Sequence, residues 1–377
     1  MSSEENFQNS FKFENLKITL CEESQRKCKP SDDDLIISKY YTDHMLLIKW
    51  SQLRGWSAPE IIPFQNLSLH PAAKVLQYAN SIFEGSKAIR GSDGKVRLFR
   101  FSRNMARMLT ACERSALPSF DPNELHKCIK KLIEIDIEWV PRKEMSYLYI
   151  RPTAMGIDSN ISPIPSTEAL ICVTCTPSGP YLGTKPLSLY AEPFHVRAWP
   201  GGVGNYKVSA NYGPTLLIEK KAKQLGHNTV LWLYGDQQYI TEAGVTNVFI
   251  YLVNKEGKKE LVTPPLTDGL ILPGITRESI IEIARAMNQF QVIEKNIGME
   301  ELIEALEQNR LMEMFGTGNA CLVCAIGSIE YKEKRYPIPT VTSVDQVYIK
   351  ILQTLVDIQY GRSSYHSDWV EVVPQQS

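Results

Sequence analysis

The stretch from Trp199 to Pro214 reads Trp-Pro-Gly-Gly-Val-Gly-Asn-Tyr-Lys-Val-Ser-Ala-Asn-Tyr-Gly-Pro and sets one lysine, Lys207, between a glycine-rich approach and an Asn-Tyr-Gly-Pro exit. Glycines at 201, 202 and 204 allow close backbone approach and positive φ where a turn needs it. A partly desolvated lysine amine is a nucleophile near neutral pH, which is what Schiff-base chemistry requires. Taken alone, the lysine would be an ordinary solvated side chain. Other residue types invite chemistry too. Arg107, in Asn104-Met-Ala-Arg107, carries a planar and permanently charged guanidinium, which taken alone reads as a solvated charge on a helix. The amides of Ile275 and Thr276, after Leu272-Pro-Gly274, open a helix and suit an anion. Phe315-Gly-Thr-Gly-Asn-Ala is a second glycine-rich turn.

The elements that must position these residues are legible. Pro214 starts a helix over 215–225 that Gly226 stops. A hairpin over 228–241, turning at Gly235-Asp236, delivers Glu242. Tyr147 to Arg151 is a strand with Tyr149 and Arg151 on one face. Val96–Arg100 is a short strand, and Ser102 is expected to cap the helix that follows. Asp121-Pro-Asn-Glu opens the next helix with a capping side chain and proline at N1. A last amphipathic helix spans about 344–359 and reads as core. His44, in a strand, reads as a structural hydrogen-bonding group, and none of the six histidines has a convincing triad partner.

At 377 residues the chain is long enough for two domains, and its 43% hydrophobic and 22% charged content is that of a globular protein. The expected division is an irregular arm over 1–35, a small α/β domain over 36–176, a Pro/Gly-rich linker over 177–188 and a larger domain over 189–377. A net charge of −1 without a basic block argues against nucleic-acid or membrane-surface partners. The polar, acidic start and the lack of a long apolar run point to the cytoplasm. Eight dispersed cysteines suggest reduced thiols and no metal site. Cys172 and Cys175, on a buried strand, face opposite ways and cannot bridge.

The segment Gly201-Gly-Val-Gly-Asn-Tyr-Lys-Val-Ser-Ala-Asn-Tyr-Gly-Pro-Thr closely resembles the cofactor-lysine segment of branched-chain amino acid aminotransferases, and the likeness extends from Thr42-Asp-His-Met to Ile358-Gln-Tyr-Gly. Those are pyridoxal-phosphate (PLP) enzymes of the two-domain α/β (α+β) architecture called fold type IV. D-amino acid aminotransferases and aminodeoxychorismate lyase share it, with the active site at the domain interface. The resemblance implies that Lys207 carries PLP as a Schiff base and then moves the α-proton. Tyr212 would bond the phenolic oxygen and Glu242 the ring nitrogen, keeping it protonated as an electron sink. Arg107, Leu272, Gly274, Ile275, Thr276 and Asn319 would lie at the cofactor, mainly its phosphate.

It likewise implies that Tyr41, Tyr78, Tyr149, Tyr181, Val245 and Ala320 line the substrate pocket, with Arg151 helping to bind the carboxylate. Lys87, in the Phe83-Glu-Gly-Ser-Lys segment, would sit at its edge. The loop from Ile157 to Pro165 would reach into a partner's site, making a homodimer. Three positions depart from the usual pattern: Pro163, Val245 where threonine is common, and Asn319 where threonine usually stands. Asparagine can still donate from its amide. In similar animal enzymes a Cys-x-x-Cys at the place of Cys321 and Cys324 responds to oxidants; apolar packing is the other reading of this pair. The implied reaction passes an amino group between L-leucine, L-isoleucine or L-valine and 2-oxoglutarate. The alternatives are a D-amino acid aminotransferase, a related lyase, or a PLP-binding regulator without turnover.

Overall fold

In the structure, a computed structural model, residues 7–180 and 185–375 are described. The chain forms two units: residues 1–181 with 207–210 and 357–377, and residues 182–206 with 211–356. The division falls inside the expected linker, but two segments depart from the expected domains. Residues 207–210, which include the lysine, belong with the first unit, as does the C-terminal stretch that the sequence assigns to the second. The reason is strand pairing: the C-terminal strand Val370–Val372 pairs with residues 97–99 of the first unit.

The first unit is built on strands β1 (Lys17–Ile18), β2 (His44–Ser51), β3 (Gly55–Trp56), β4 (Glu60–Pro63), β5 (Ser81–Phe83), β6 (Ser86–Arg90), β7 (Val96–Phe99), β8 (Tyr147–Gly156) and β9 (Glu168–Ser178). The sheet order is β1-β4-β2-β9-β8-β6-β7, then the C-terminal strand, with β3 on β2 and β5 on β8. β1 pairs with β4, and Phe11 and Cys21 are buried, so the arm expected to be irregular is tied to the sheet. Three helices belong here: α1 (Lys74–Tyr78), α2 (Phe101–Arg114) and α3 (Pro122–Ile135). α3 starts as expected, the Asp121 carboxylate accepting from the Asn123 amide at 2.9 Å. α2 does not start at Ser102. Arg100 is its N-cap, with φ of +45°, because its amide donates to the Trp369 carbonyl and its guanidinium lies over the Trp369 ring.

The second unit has strands β10 (Leu187–Glu192), β11 (Thr229–Tyr234), β12 (Tyr239–Ala243), β13 (Thr246–Val253), β14 (Lys259–Thr263), β15 (Gln291–Glu294), β16 (Leu311–Gly318), β17 (Leu322–Tyr331) and β18 (Lys334–Pro337). Their order is β12-β11-β10-β17-β16-β13-β14-β15, with β18 on β17 and β12 also on β13. Helices α4 (Leu216–Gln224), α5 (Ile275–Met287), α6 (Met299–Glu307) and α7 (Val347–Gln359) complete the set. Leu189, Leu231, Val248, Ile250, Met314 and Ile326 are all buried in one cluster, and α6 closes it with Met299, Leu302 and Ala305. A 3₁₀ turn, Gly213–Thr215, leads directly into α4, and Gly226 at φ of +87° follows its end. Among the described residues no helix is long and apolar enough to cross a membrane.

Candidate functional site

In the first unit the chemistry gathers around β5 and the residues after it. The peptide N–H of Phe83 donates to the Lys207 carbonyl at 3.0 Å, Ile82 bridges to Val208, and the Ser81 hydroxyl donates to that of Ser209 at 2.8 Å. Lys207 is thus laid along a strand edge, half-buried, with its Nζ 4.6 Å from the Phe83 ring centroid. The Arg151 guanidinium lies 4.4 Å from the same ring and donates to the Tyr149 hydroxyl at 2.8 Å. Phe83 is therefore a shared platform for two cations.

Behind Phe83 lies Glu84, fully buried, which the sequence reading did not single out. Its carboxylate takes the Arg107 Nε at 2.6 Å and Nη2 at 2.8 Å, the Asn104 Nδ2 at 2.9 Å and the Gly85 amide at 3.1 Å. Asn104 and Arg107 reach it together because they are three apart on α2, beside its buried face. Burial alone would push the Glu84 carboxyl up. The charge and hydrogen bonds of Arg107, the charge of Lys207 and the Asn104 amide outweigh it and hold the carboxyl below the usual carboxylate range. Gly85 must be glycine: a Cβ there would lie 2.2 Å from the Tyr149 hydroxyl.

The second unit assembles a different group around Glu242, at the end of β12 and buried. Its Oε1 accepts from the Leu272 amide at 2.8 Å and faces the Asn247 amide at 3.4 Å, while Oε2 lies 3.1 Å from Arg197 Nε. Arg197 is not aligned to hydrogen-bond through that Nε; its Nη2 donates instead to the Gly204 and Leu270 carbonyls. The glycine-rich approach is thereby a supported turn. Gly204 packs so tightly on Ala198 that a Cβ would sit 2.2 Å away, and Gly201 takes φ of +77°. Asn247 also donates to the Leu272 carbonyl at 2.9 Å and excludes any Cβ at Gly274, the N-cap of α5. Thr276 is the second residue of that helix, near its cap as expected.

Asn319, Ala320 and Cys321 form a three-residue hairpin loop between Gly318 and Leu322. The Asn319 Nδ2 and the Thr317 Oγ1 are buried and have no hydrogen-bond partner among the described residues. Such orphaned donors cost free energy unless something accepts from them. Together with the first-turn amides of the 13-residue α5, they suit an anionic group such as a phosphate. Thr317 went unnoticed in the sequence because its hydroxyl, on a strand, carries no signal apart from its neighbours.

Of the remaining candidates, Tyr41 stacks on Phe64, and Tyr78 donates to the Ile161 carbonyl of the 157–165 loop. That loop is fastened by Lys74, buried, which pairs with Asp158 at 2.7 Å. Lys87 is buried, its Nζ 4.8 Å from the Tyr147 ring centroid. Tyr212 lies in the second unit and Val245 is exposed there. Tyr181 lies outside the described residues. His44 is structural as expected: its Nδ1 donates to Asp136 at 2.7 Å, and its Nε2 accepts from the Cys21 amide. One histidine does have triad-like partners. His227 joins Ser188 at 2.8 Å to Glu330 at 3.1 Å, but the Ser188 hydroxyl is also held by Ser328, so the chain of bonds straps β10 to β17. Cys172 and Cys175 are both buried on β9, and burial pushes the Cys172 thiol up to about 11. Cys321 lies half-buried in the loop, and Cys324 is buried on β17. No group of metal-ligating side chains occurs among the described residues.

The amino-transferase class IV family matches residues 81–329. The cytosolic branched-chain-amino-acid aminotransferase of Mus musculus is 47% identical over 92% of this chain and 90% of its own length. The mitochondrial one of Bos taurus is 44% identical over 96% and 92%. Among solved structures, the branched-chain aminotransferase of the archaeon Thermoproteus uzoniensis with norvaline superposes with a TM-score of 0.69, at 23% identity over 87% of this chain and 100% of that one. With a lysine laid along β5, a buried glutamate on β12 and relatives of this likeness over nearly its whole length, the chain belongs to the amino-transferase class IV family, among its branched-chain-amino-acid aminotransferases.

Proposed function

We propose that the protein transfers the amino group of L-leucine, L-isoleucine or L-valine to 2-oxoglutarate, reversibly, with PLP as cofactor. The observation that carries this reading is the Lys207 amine, half-buried 4.6 Å from the Phe83 centroid, beside the Glu84–Arg107 pair. PLP, when bound, supplies the electron sink for the electrons of the α C–H bond. Lys207 Nζ would attach the cofactor and take and return the α-proton, a step worth on the order of 10²–10⁴-fold. Glu242, oriented by the Leu272 amide, would keep the ring nitrogen protonated. Tyr212 would bond the phenolic oxygen. Arg107, Ile275, Thr276, Thr317 and Asn319 would hold the phosphate. Arg151, which donates to the Tyr149 hydroxyl, would help bind the substrate carboxylate, and Tyr41, Tyr78, Tyr149, Tyr181, Val245 and Ala320 would line the rest of its pocket. The reading includes a cytosolic homodimer, which sedimentation and cell fractionation test.

The deciding assay is transamination of L-leucine with 2-oxoglutarate, run against D-alanine and aminodeoxychorismate. Turnover of L-leucine alone is the expected result. Turnover of D-alanine or aminodeoxychorismate in its place would move the chain to a sister activity. A visible absorption band that changes when L-leucine is added reports the cofactor directly.

A further inference from the structure

We infer that Glu84 is a positioning residue for the cofactor: it fixes the Arg107 guanidinium for the phosphate and supplies the counter-charge that Lys207 needs. The inference rests on the reading that Lys207 and Arg107 serve PLP. A carboxylate with no exposed surface is costly to bury unless every lone pair is used. Here the uses are specific. Both oxygens grip one edge of the guanidinium, Nε and Nη2, at 2.6 and 2.8 Å. A guanidinium held this way cannot rotate about its last bond, so its direction is set by the buried side and not by the anion it meets.

The backbone fixes Glu84 in turn. Its own amide donates to the Pro152 carbonyl at 2.8 Å, and the neighbouring Phe83 amide to Lys207 at 3.0 Å. Asn104 ties the carboxylate to the Gly85 carbonyl, donating to both at 2.9 and 3.2 Å. The carboxylate therefore lies one residue from the peptide group that anchors the lysine, and its charge balances two cations, Arg107 and Lys207. Without it Arg107 and Lys207, with Arg151 over the same Phe83 ring, would lose this counter-charge, and a protonated nitrogen on Lys207 would be disfavoured.

The test uses holoenzyme of wild type, Glu84→Gln, Glu84→Asp and Lys207→Ala. PLP retention is measured by dialysis, and the visible band is titrated with pH. Glu84→Gln keeps the volume and removes the charge. It should bind PLP about tenfold more weakly, and its titration midpoint should fall by about one unit, because the protonated form on Lys207 loses a favourable neighbour. Glu84→Asp should recover part of both. Affinity in Glu84→Gln within twofold of wild type, or tighter, overturns the inference. So does a weakened affinity with an unmoved midpoint, which would make Glu84 a packing residue only. A wild type that retains no PLP, or a Lys207→Ala variant with an unchanged band, would sink the reading beneath instead.

Discussion

Glu84 and Glu242 are both buried carboxylates that face an arginine, one in each unit, and they are held differently. Glu84 is gripped by Arg107 through two short bonds, with Asn104 and a backbone amide completing its shell. Glu242 meets Arg197 at 3.1 Å without hydrogen-bond alignment, while Arg197 serves two carbonyls of the loop before Lys207 and the stretch before Leu272. In the first unit the carboxylate exists to aim a cation. In the second, a backbone amide aims the carboxylate, and the nearby arginine organises loops. The same pair of residue types therefore does opposite work, and the hydrogen-bond geometry tells them apart.

Lys207→Ala tests both arrangements at once, since each is assigned to the cofactor that this amine would carry. Turnover should fall by about 10⁴-fold or more, with the visible band lost and the circular dichroism unchanged. Retained turnover would end the whole reading.

Arg107→Ala and Arg197→Ala sharpen the contrast. Losing Arg107 strands a buried charge and should cost about 3–5 kcal/mol of stability by urea unfolding, besides weakening PLP retention. Arg197→Ala should cost less, because Glu242 keeps its Leu272 amide. The acid side gives a signature. Arg107 helps hold the Glu84 carboxyl below its ordinary value, so the wild-type stabilisation is present above that value and lost as pH falls through the lowered one. Without Arg107, burial raises the carboxyl instead, so the stability gap between variant and wild type should narrow as the pH falls. Equal losses in the two variants would erase the distinction between the pairs.

Glu242→Gln should leave PLP bound and lower kcat by about 10²–10³-fold, as expected for losing one preorganised electrostatic group. Its effect is thus on rate, where Glu84→Gln acts on affinity. A wild-type kcat in Glu242→Gln would remove it as the ring partner.

Smaller effects are expected at the hairpin loop. Asn319→Thr should keep PLP retention or tighten it by a few fold, through a hydroxyl next to the unpartnered Thr317. A clear loss of PLP would mean that the loop does not face the phosphate. Cys321→Ser should blunt any inhibition by mild peroxide and leave turnover intact. Equal peroxide sensitivity in wild type and in the Cys321→Ser/Cys324→Ser double variant would leave these thiols a packing role alone.

Local chemistry was legible in the sequence wherever neighbours along the chain decide it. Asp121-Pro-Asn-Glu opens α3 as read, Gly226 stops α4, the Gly235 turn joins β11 to β12, and Tyr149 and Arg151 share a face of β8. Capping, turn and alternation signals act over a few residues, so spacing carries them. The lysine and its glycines were equally plain, as was the family they resemble.

What needed the tertiary structure is whatever two distant segments decide together. Arg100, not Ser102, caps α2, because the C-terminal strand arrives beside β7 and offers the Trp369 carbonyl and ring. The same pairing carries the chain's end back to the first unit. Glu84 looks like any glutamate until α2 brings Asn104 and Arg107, 20 and 23 residues away, against it. Arg197 and Glu242 are likewise far apart in sequence and 3.1 Å apart in space. Sequence spacing records the local geometry of a helix turn or a strand; which carboxylate meets which guanidinium is settled only when the sheets pair and bury them, since burial is what makes an unpaired charge intolerable.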